Sequence, residues 1–264
     1  MDTADNKLIN GLKAYGIQKS GNATEDYEDA YAFNKDTLFF CVADGATESI
    51  FSKEFANMMA NAFVSFAATD KHSLRRVLES VINETRTKWN ELLSTRTLPW
   101  YAEEKAAQGS HAAFTGIRLL HGANAFPPKK RGFFHKPFYR WEAVGVGDVC
   151  MFIVRADELI TAFPITRSAD FDNSPRLIST LEGSAAHIAT KSGEVRPGDT
   201  LFLMSDALAE WFLKSHENGL FPWKTIGKIK TEANFKLFIE RLRAAKQIKN
   251  DDATALSITI GKLP

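Results

Sequence analysis

The chain has 264 residues, 44% of them hydrophobic, which is enough apolar content for a sizeable buried core. Thirty-three Lys and Arg against 32 Asp and Glu leave a formal charge of +1, which argues against nucleic acid or an anionic membrane as a partner drawn by overall charge. The opening MDTADNKLINGLKAYG lacks an apolar core of signal-peptide length, and no later stretch approaches the roughly 20 apolar residues of a membrane span, so a cytoplasmic location is expected. After a polar N-terminal segment, strands are predicted at Ala30–Phe33 and Leu38–Ala43, able to pair as a hairpin. Residues Ile50–Ala68 carry Phe51, Phe55, Met59 and Phe63 at steps of four, the spacing of one helical face. A second helix is predicted over Ser73–Leu93, with Ser73 as N-cap and Leu74, Val77, Leu78, Val81 and Ile82 as its buried stripe. The middle turns β-rich: His111–Leu120, Arg140–Val146, Val149–Arg155 and Glu158–Pro164. Thr166–Ser184 reads as a polar, irregular loop, and Pro197-Gly198-Asp199 as a turn feeding a strand over Thr200–Met204. Asp206 would cap a short helix, Ala233–Ile248 forms a last amphipathic helix, and ALSITI closes with a strand.

No repeat, low-complexity tract or linker interrupts the chain, so residues 1–264 are expected to form a single domain. Strands grouped around helical pairs, rather than alternating βαβ units, predict an α+β layered sandwich. The two cysteines, Cys41 and Cys150, sit within apolar runs, as buried thiols do, rather than as a disulfide or metal ligands.

Acids stand at the ends of several apolar runs. Asp44 closes LFFCVA and is followed by Gly45; Asp206 closes LFLMS; Asp148 follows AVGVG; Asp251 and Asp252 precede ALSITI; Glu28 and Asp29 precede the first strand. Singly, each has an ordinary explanation: a turn at Asp44-Gly45, a hairpin turn at Asp148, a helix cap at Asp206, a solvated turn at Asp251-Asp252, surface charge at Glu28-Asp29. Their recurrence in one context is the signal. If those strand ends meet, the carboxylates repel unless a cation intervenes, and an all-oxygen set suits a hard ion such as Mg²⁺ or Mn²⁺ rather than structural zinc.

In order and spacing YEDAYAF, VADGATES, GSHAAFTG, VGVGDVCMF, PGDTLFLMSDAL and NDDATALSITI resemble the metal-dependent protein phosphatases of the type 2C class, from Glu28 to Ile260, as a bacterial-type single-domain member. The resemblance implies a four-layer α-β-β-α sandwich, two antiparallel sheets flanked by helices, with a two-metal site at one end. It implies Asp44 bridging two Mg²⁺ or Mn²⁺ ions, Asp206 and Asp251 completing the first, and the Gly45 carbonyl and Glu28 serving the second. Asp148 resembles the ligand of a looser third ion, with Asp29 and Asp252 holding metal-bound waters or neighbouring backbone. The implied activity is hydrolysis of phosphoserine or phosphothreonine by direct attack of a metal-bridging hydroxide. The implied partners are phosphorylated protein substrates, such as targets of a cognate kinase, without nucleic acid or membrane, and the chain is expected to be monomeric.

The chain departs from the pattern in places. Thr24 stands where many members carry a phosphate-binding Arg, with Lys19, Arg167 and Arg176 as candidate substitutes; Ala46 stands where some carry a His; Ala207 replaces a usual Gly; and His111 replaces a common Thr, more as a packed or surface histidine than a catalyst. These changes spare the proposed ligands but leave a second reading, a catalytically weak or inactive regulatory module that binds phosphoproteins. A third is a metal phosphohydrolase acting on small molecules. Finally, FPPKKRGFFHKPFYRW interleaves Lys129, Lys130, Arg131, Lys136 and Arg140 with aromatics, either as a docking loop for an acidic or phosphorylated protein or as a long hairpin connection whose aromatics pack on the domain.

Overall fold

A computed structural model of the chain describes residues 8–66, 72–120, 139–171 and 175–261. Its architecture is two antiparallel sheets face to face, each covered on its outer side by helices. One sheet runs β2 (Asp29–Asn34), β3 (Phe39–Gly45), β4 (His111–Leu120), β5 (Tyr139–Val146) and β9 (Ala189–Val195), with the two-residue β8 (Ile178–Ser179) continuing along β4. The other runs β1 (Ile9–Ile17), β11 (Ala253–Ile260), β10 (Thr200–Met204), β6 (Cys150–Arg155) and β7 (Glu158–Phe163). Helices α1 (Ser52–Ser65) and α2 (Leu74–Ser94) cover the first sheet; α4 (Asp206–Glu217) and α6 (Glu232–Ala244) cover the second.

The continuous apolar character of β3 follows from burial on both faces. Side chains alternate along a strand, so Phe39, Cys41 and Ala43 pack against Phe55, Met59 and Phe63 of α1, while Phe40 and Val42 pack against Met151, Leu203 and Leu256 of the facing sheet. Continuing that alternation puts Asp44 on the inter-sheet side and Gly45 on the α1 side. On the far side Phe152 and Phe202 of the second sheet meet Leu208, Phe212, Phe235 and Ile239 of α4 and α6.

The structure departs from these expectations in several places and adds further elements. The N-terminal segment is a nine-residue strand, β1, paired with β11 along its length. Its glycines and lysine mask an alternation in which Leu12 and Ala14 face the inter-sheet core and Tyr15 and Ile17 the α4/α6 side. Strand β9, ATKSGEV, lies at a sheet edge, mostly outside the core, and so has no apolar pattern to show. Asp206 is not the cap of α4 but its first residue; Ser205 holds the cap position. Two short helices, α3 (Trp100–Ala107) and α5 (Pro222–Gly227), were not foreseen, and α6 stops at Ala244, short of Ile248. Among the described residues no helix is long and apolar enough to cross a membrane. Both cysteines are free and buried, and burial pushes their thiols well above the ordinary range.

Candidate active site

Asp44-Gly45 is not a turn. Strand β3 runs through both: Asp44 pairs with Asp29 of β2 and Ala113 of β4, and Gly45 with Ala112. The turn follows, where the Ser49 amide donates to the Ala46 carbonyl at 2.8 Å and the Ala46 amide donates to the His111 carbonyl at 2.9 Å. The requirement for glycine at 45 is one of space. A Cβ there would stand 2.8 Å from the Ser52 carbonyl and 3.0 Å from that of Glu28, closer than a carbon tolerates. Strand β3, the start of α1 and the Glu28 backbone can therefore converge only over a bare backbone. Phe51, just before α1, adopts a left-handed backbone (φ 53°) and packs edge-on against Trp89 at 6.1 Å, with the Arg96 guanidinium 4.3 Å above its ring.

Four carboxylates from four strand ends line one cavity of about 390 Å³: Asp44 in the last, turn-side residues of β3, Asp148 between β5 and β6, Asp206 after β10 and Asp251 before β11. At Asp44 and Asp206 the environment disfavours negative charge. Burial, then Asp29, Asp206, Asp148 and Asp251, hold the Asp44 carboxyl well above the usual range. Burial, then Asp148 and Asp251, push Asp206 up to about 7, against the pull of the Ala207 amide that donates to it. Among the described residues the cation on the cavity wall is Lys249, whose ammonium is 3.3 Å from Glu210; burial lowers its pKa, but Glu210 and Asp206 outweigh that and raise it. One ammonium, already paired with Glu210, does not offset the raised Asp44 and Asp206. The donor set, hard oxygen ligands short of positive charge, fits a divalent cation, and Asp44, Asp206 and Asp251 with Asp148 beside them are the residues that could hold one. They face the cavity without closing up: among the described residues no three Asp, Glu, His or Cys side chains are gathered as a ready-made metal cluster.

Glu28 is placed differently. Its carboxylate lines a neighbouring cleft, accepting from the Thr47 hydroxyl at 2.7 Å and from the Ser52 hydroxyl, with the Lys19 ammonium 3.6 Å away. Asp29 is buried; it accepts from the Thr254 hydroxyl at 2.5 Å, and Thr254 in turn is bonded to the Tyr27 hydroxyl. Burial raises the Asp29 pKa, opposed by the Thr254 hydrogen bond. Asp252 accepts from two backbone amides, Lys19 at 2.7 Å and Glu28 at 2.6 Å, and so ties the β1–β2 connection to the start of β11.

His111 opens β4, its Nδ1 3.2 Å from the Ser49 hydroxyl, and burial lowers its pKa. Of the candidate phosphate-binding substitutes, Arg167 is engaged by Asp170 at 3.0 Å, Arg176 is exposed, and Lys19 stands beside Glu28. Sequence reasoning passed over Lys249, which was detectable only as a lysine two positions before Asp251, and Thr47 and Ser52, whose roles no local pattern announces. Of the candidate docking residues, Lys129, Lys130, Arg131 and Lys136 lie outside the described residues; Arg140 is on β5, 3.5 Å from the Ser192 hydroxyl of β9.

This arrangement can be set beside known proteins. The family model for protein phosphatase 2C matches residues 16–254, and the chain belongs to that family. No curated protein matches it by sequence. Solved structures share the fold. PppA, a key regulatory component of T6SS in Pseudomonas aeruginosa, aligns with a TM-score of 0.59 and 13% identity over 96% of this chain and 99% of its own. The catalytic domain of the serine/threonine phosphatase PstP, in complex with two manganese ions, gives 0.60 and 14% over 97% and 100%. The serine/threonine phosphatase Stp1 from Staphylococcus aureus gives 0.61 and 15% over 97% and 98%.

Proposed function

We propose that the chain is a metal-dependent protein serine/threonine phosphatase, hydrolysing phosphoserine and phosphothreonine in protein substrates. The observation that carries this reading is the meeting of Asp44, Asp148, Asp206 and Asp251 in one cavity, from four separate strand ends, in a chain of the protein phosphatase 2C family. PstP, of the same fold, is a structure with two manganese ions, which supports Mg²⁺ or Mn²⁺ here. Bound divalent cations would acidify water into a nucleophile at neutral pH and offset charge on the phosphoryl oxygens. The chain's own part is to hold the carboxylates: β3 and β4 fix Asp44, the first turn of α4 fixes Asp206 through the Ala207 amide, and the β5–β6 turn fixes Asp148. Lys249 supplies positive charge on the same wall, and the Ser49–His111 pair anchors the segment that follows Gly45. We further propose that residues 1–264 act as one catalytic domain, cytoplasmic and monomeric, with phosphoproteins rather than nucleic acid as partners.

A second reading has its own support. Thr24, Ala46 and the capture of Glu28 by Thr47, Ser52 and Lys19 are what a phosphatase-like regulator that binds phosphoproteins without turnover would show, and PppA, of the same fold, is named as a regulatory component. A phosphothreonine peptide separates the two. The enzyme reading expects Mn²⁺-stimulated phosphate release that Asp44→Asn abolishes; peptide binding independent of metal, with no release in any metal, would leave the regulator.

A further inference from the structure

Glu28 is already answered by protein groups, and the geometry extends beyond a chance rotamer. Both carboxylate oxygens are occupied, one by the Thr47 hydroxyl at 2.7 Å and the other by the Ser52 hydroxyl. The Lys19 ammonium adds the opposite charge at 3.6 Å and also donates to the Thr47 hydroxyl at 3.2 Å. Lys19 is delivered there by its backbone. Asp252 accepts from the amides of Lys19 and Glu28 with its two oxygens, holding the two residues side by side, and the adjoining Asn250 pairs both ways with Ser20, at 2.8 and 3.1 Å. Both side chains are largely sheltered, Lys19 at 19% and Glu28 at 18% exposure, where an ion pair is less screened than on the open surface. A divalent ion arriving at Glu28 would have to displace two hydroxyl donors and sit beside a fixed positive charge.

We propose that the Lys19 ammonium serves as a built-in cation at Glu28 in place of a second divalent ion, so that the chain loads with one ion, held by Asp44, Asp206 and Asp251. This rests on the reading of those acids as a metal centre. The loss of one divalent charge at the Glu28 side is thereby compensated from within the chain, and Thr47, which lines both the Glu28 cleft and the cavity of the four acids, joins the two. Lys19 is a positioning residue here: it acts on the site through Glu28.

The test is the stoichiometry and magnetic coupling of bound Mn²⁺. EDTA-stripped protein is re-equilibrated with Mn²⁺, exchanged into metal-free buffer, and measured by native mass spectrometry and by electron paramagnetic resonance. The wild type is expected to retain one ion with an uncoupled six-line spectrum. Lys19→Met, which keeps the aliphatic stem and removes the charge, is expected to retain two ions with an exchange-coupled spectrum; Lys19→Arg, which keeps the charge, stays at one. Circular dichroism confirms that each variant is folded. A wild type with two coupled ions overturns the inference and leaves the metal centre standing. A folded Lys19→Met that stays at one ion overturns the role of the lysine. A wild type that retains none overturns both the inference and the metal reading on which it rests.

Discussion

Two acidic regions flank Thr47, and they differ in how their charge is met. On one side Glu28 is surrounded by donors, two hydroxyls and an ammonium, and its charge is satisfied inside the protein. On the other, Asp44, Asp148, Asp206 and Asp251 share a cavity with Lys249, which is already paired with Glu210, and the carboxyls of Asp44 and Asp206 are pushed above their usual range. A carboxylate ringed by donors is part of the scaffold. Asp44 and Asp206, whose pKa values burial and then neighbouring acids raise, are held in an unfavourable state by the rest of the fold, and such arrangements cluster at functional sites. The difference separates acids that look alike in the sequence, since Glu28 and Asp44 both stand at the end of an apolar strand.

The largest effect that can break this comparison is on turnover. Asp44→Asn keeps the shape and the pairing of β3 but removes one charge from the centre of the set, and it is expected to lower Mn²⁺-dependent hydrolysis of a phosphothreonine peptide by at least about 10³-fold, a loss of roughly 4 kcal/mol of transition-state stabilisation. A smaller loss would mean that the cavity is not where the chemistry occurs.

The next effect is on stability against pH without metal. Asp206 titrates near 7 in the folded chain, against an ordinary value near 4. Between those values the folded state holds a proton that the unfolded state has released. The sign follows: this contribution to stability is fully present below about pH 4 and is lost as pH rises through about 7. The raised Asp44 acts in the same direction. His111, lowered by burial, acts in the opposite one, gaining stability as pH rises towards its unfolded value. With EDTA present, Tm is expected to fall by roughly 5–10 °C from pH 5 to pH 8. Scanning fluorimetry checks it, and Asp206→Asn, which removes the titrating group and one like charge, should flatten the fall and raise Tm at pH 8. A flat wild-type profile would show that the acids do not crowd one another.

Gly45→Ala comes third. Its Cβ would press on the Ser52 and Glu28 carbonyls at 2.8 and 3.0 Å, both backbone atoms that cannot swing aside. Overpacking of this kind costs about 2 kcal/mol, or roughly 4–8 °C in Tm. An unchanged Tm would mean that β3 and the start of α1 can part at little cost.

The sequence disclosed much of this scaffold and little of the distinction drawn on it. Strands buried on both faces, such as β3 and β10, announce themselves as continuous apolar runs, and α2 does so by its stripe from Leu74 to Ile82. The edge strands β1 and β9 do not, because the partial burial of β1 and the mostly solvated position of β9 tolerate Gly, Lys and Ser. The acids were visible because strand ends are poor places for carboxylates. Whether a given acid is satisfied was not, because its donors come from afar: Lys19 and Ser52 lie nine and 24 positions from Glu28, and Lys249 lies 43 from Asp206. Local pattern encodes which side chains leave a strand end. Only the folded chain decides what they meet.

The smallest effect tests the satisfied side. Glu28→Gln is nearly isosteric, yet the amide offers one accepting oxygen where the carboxylate offers two. One of Thr47 and Ser52 would face an NH₂ group and have to turn its lone pair to it, and Lys19 would lose its counter-charge. The weakened hydrogen bond and the lost ion pair should together cost about 1 kcal/mol, or roughly 2–4 °C in Tm. What matters is the sign. In metal-free protein at pH 8, removing charge at Glu28 should lower Tm while removing it at Asp206 raises it. If both substitutions moved Tm the same way, the four acids and Glu28 would belong to one electrostatic environment, and the contrast across Thr47 would not hold.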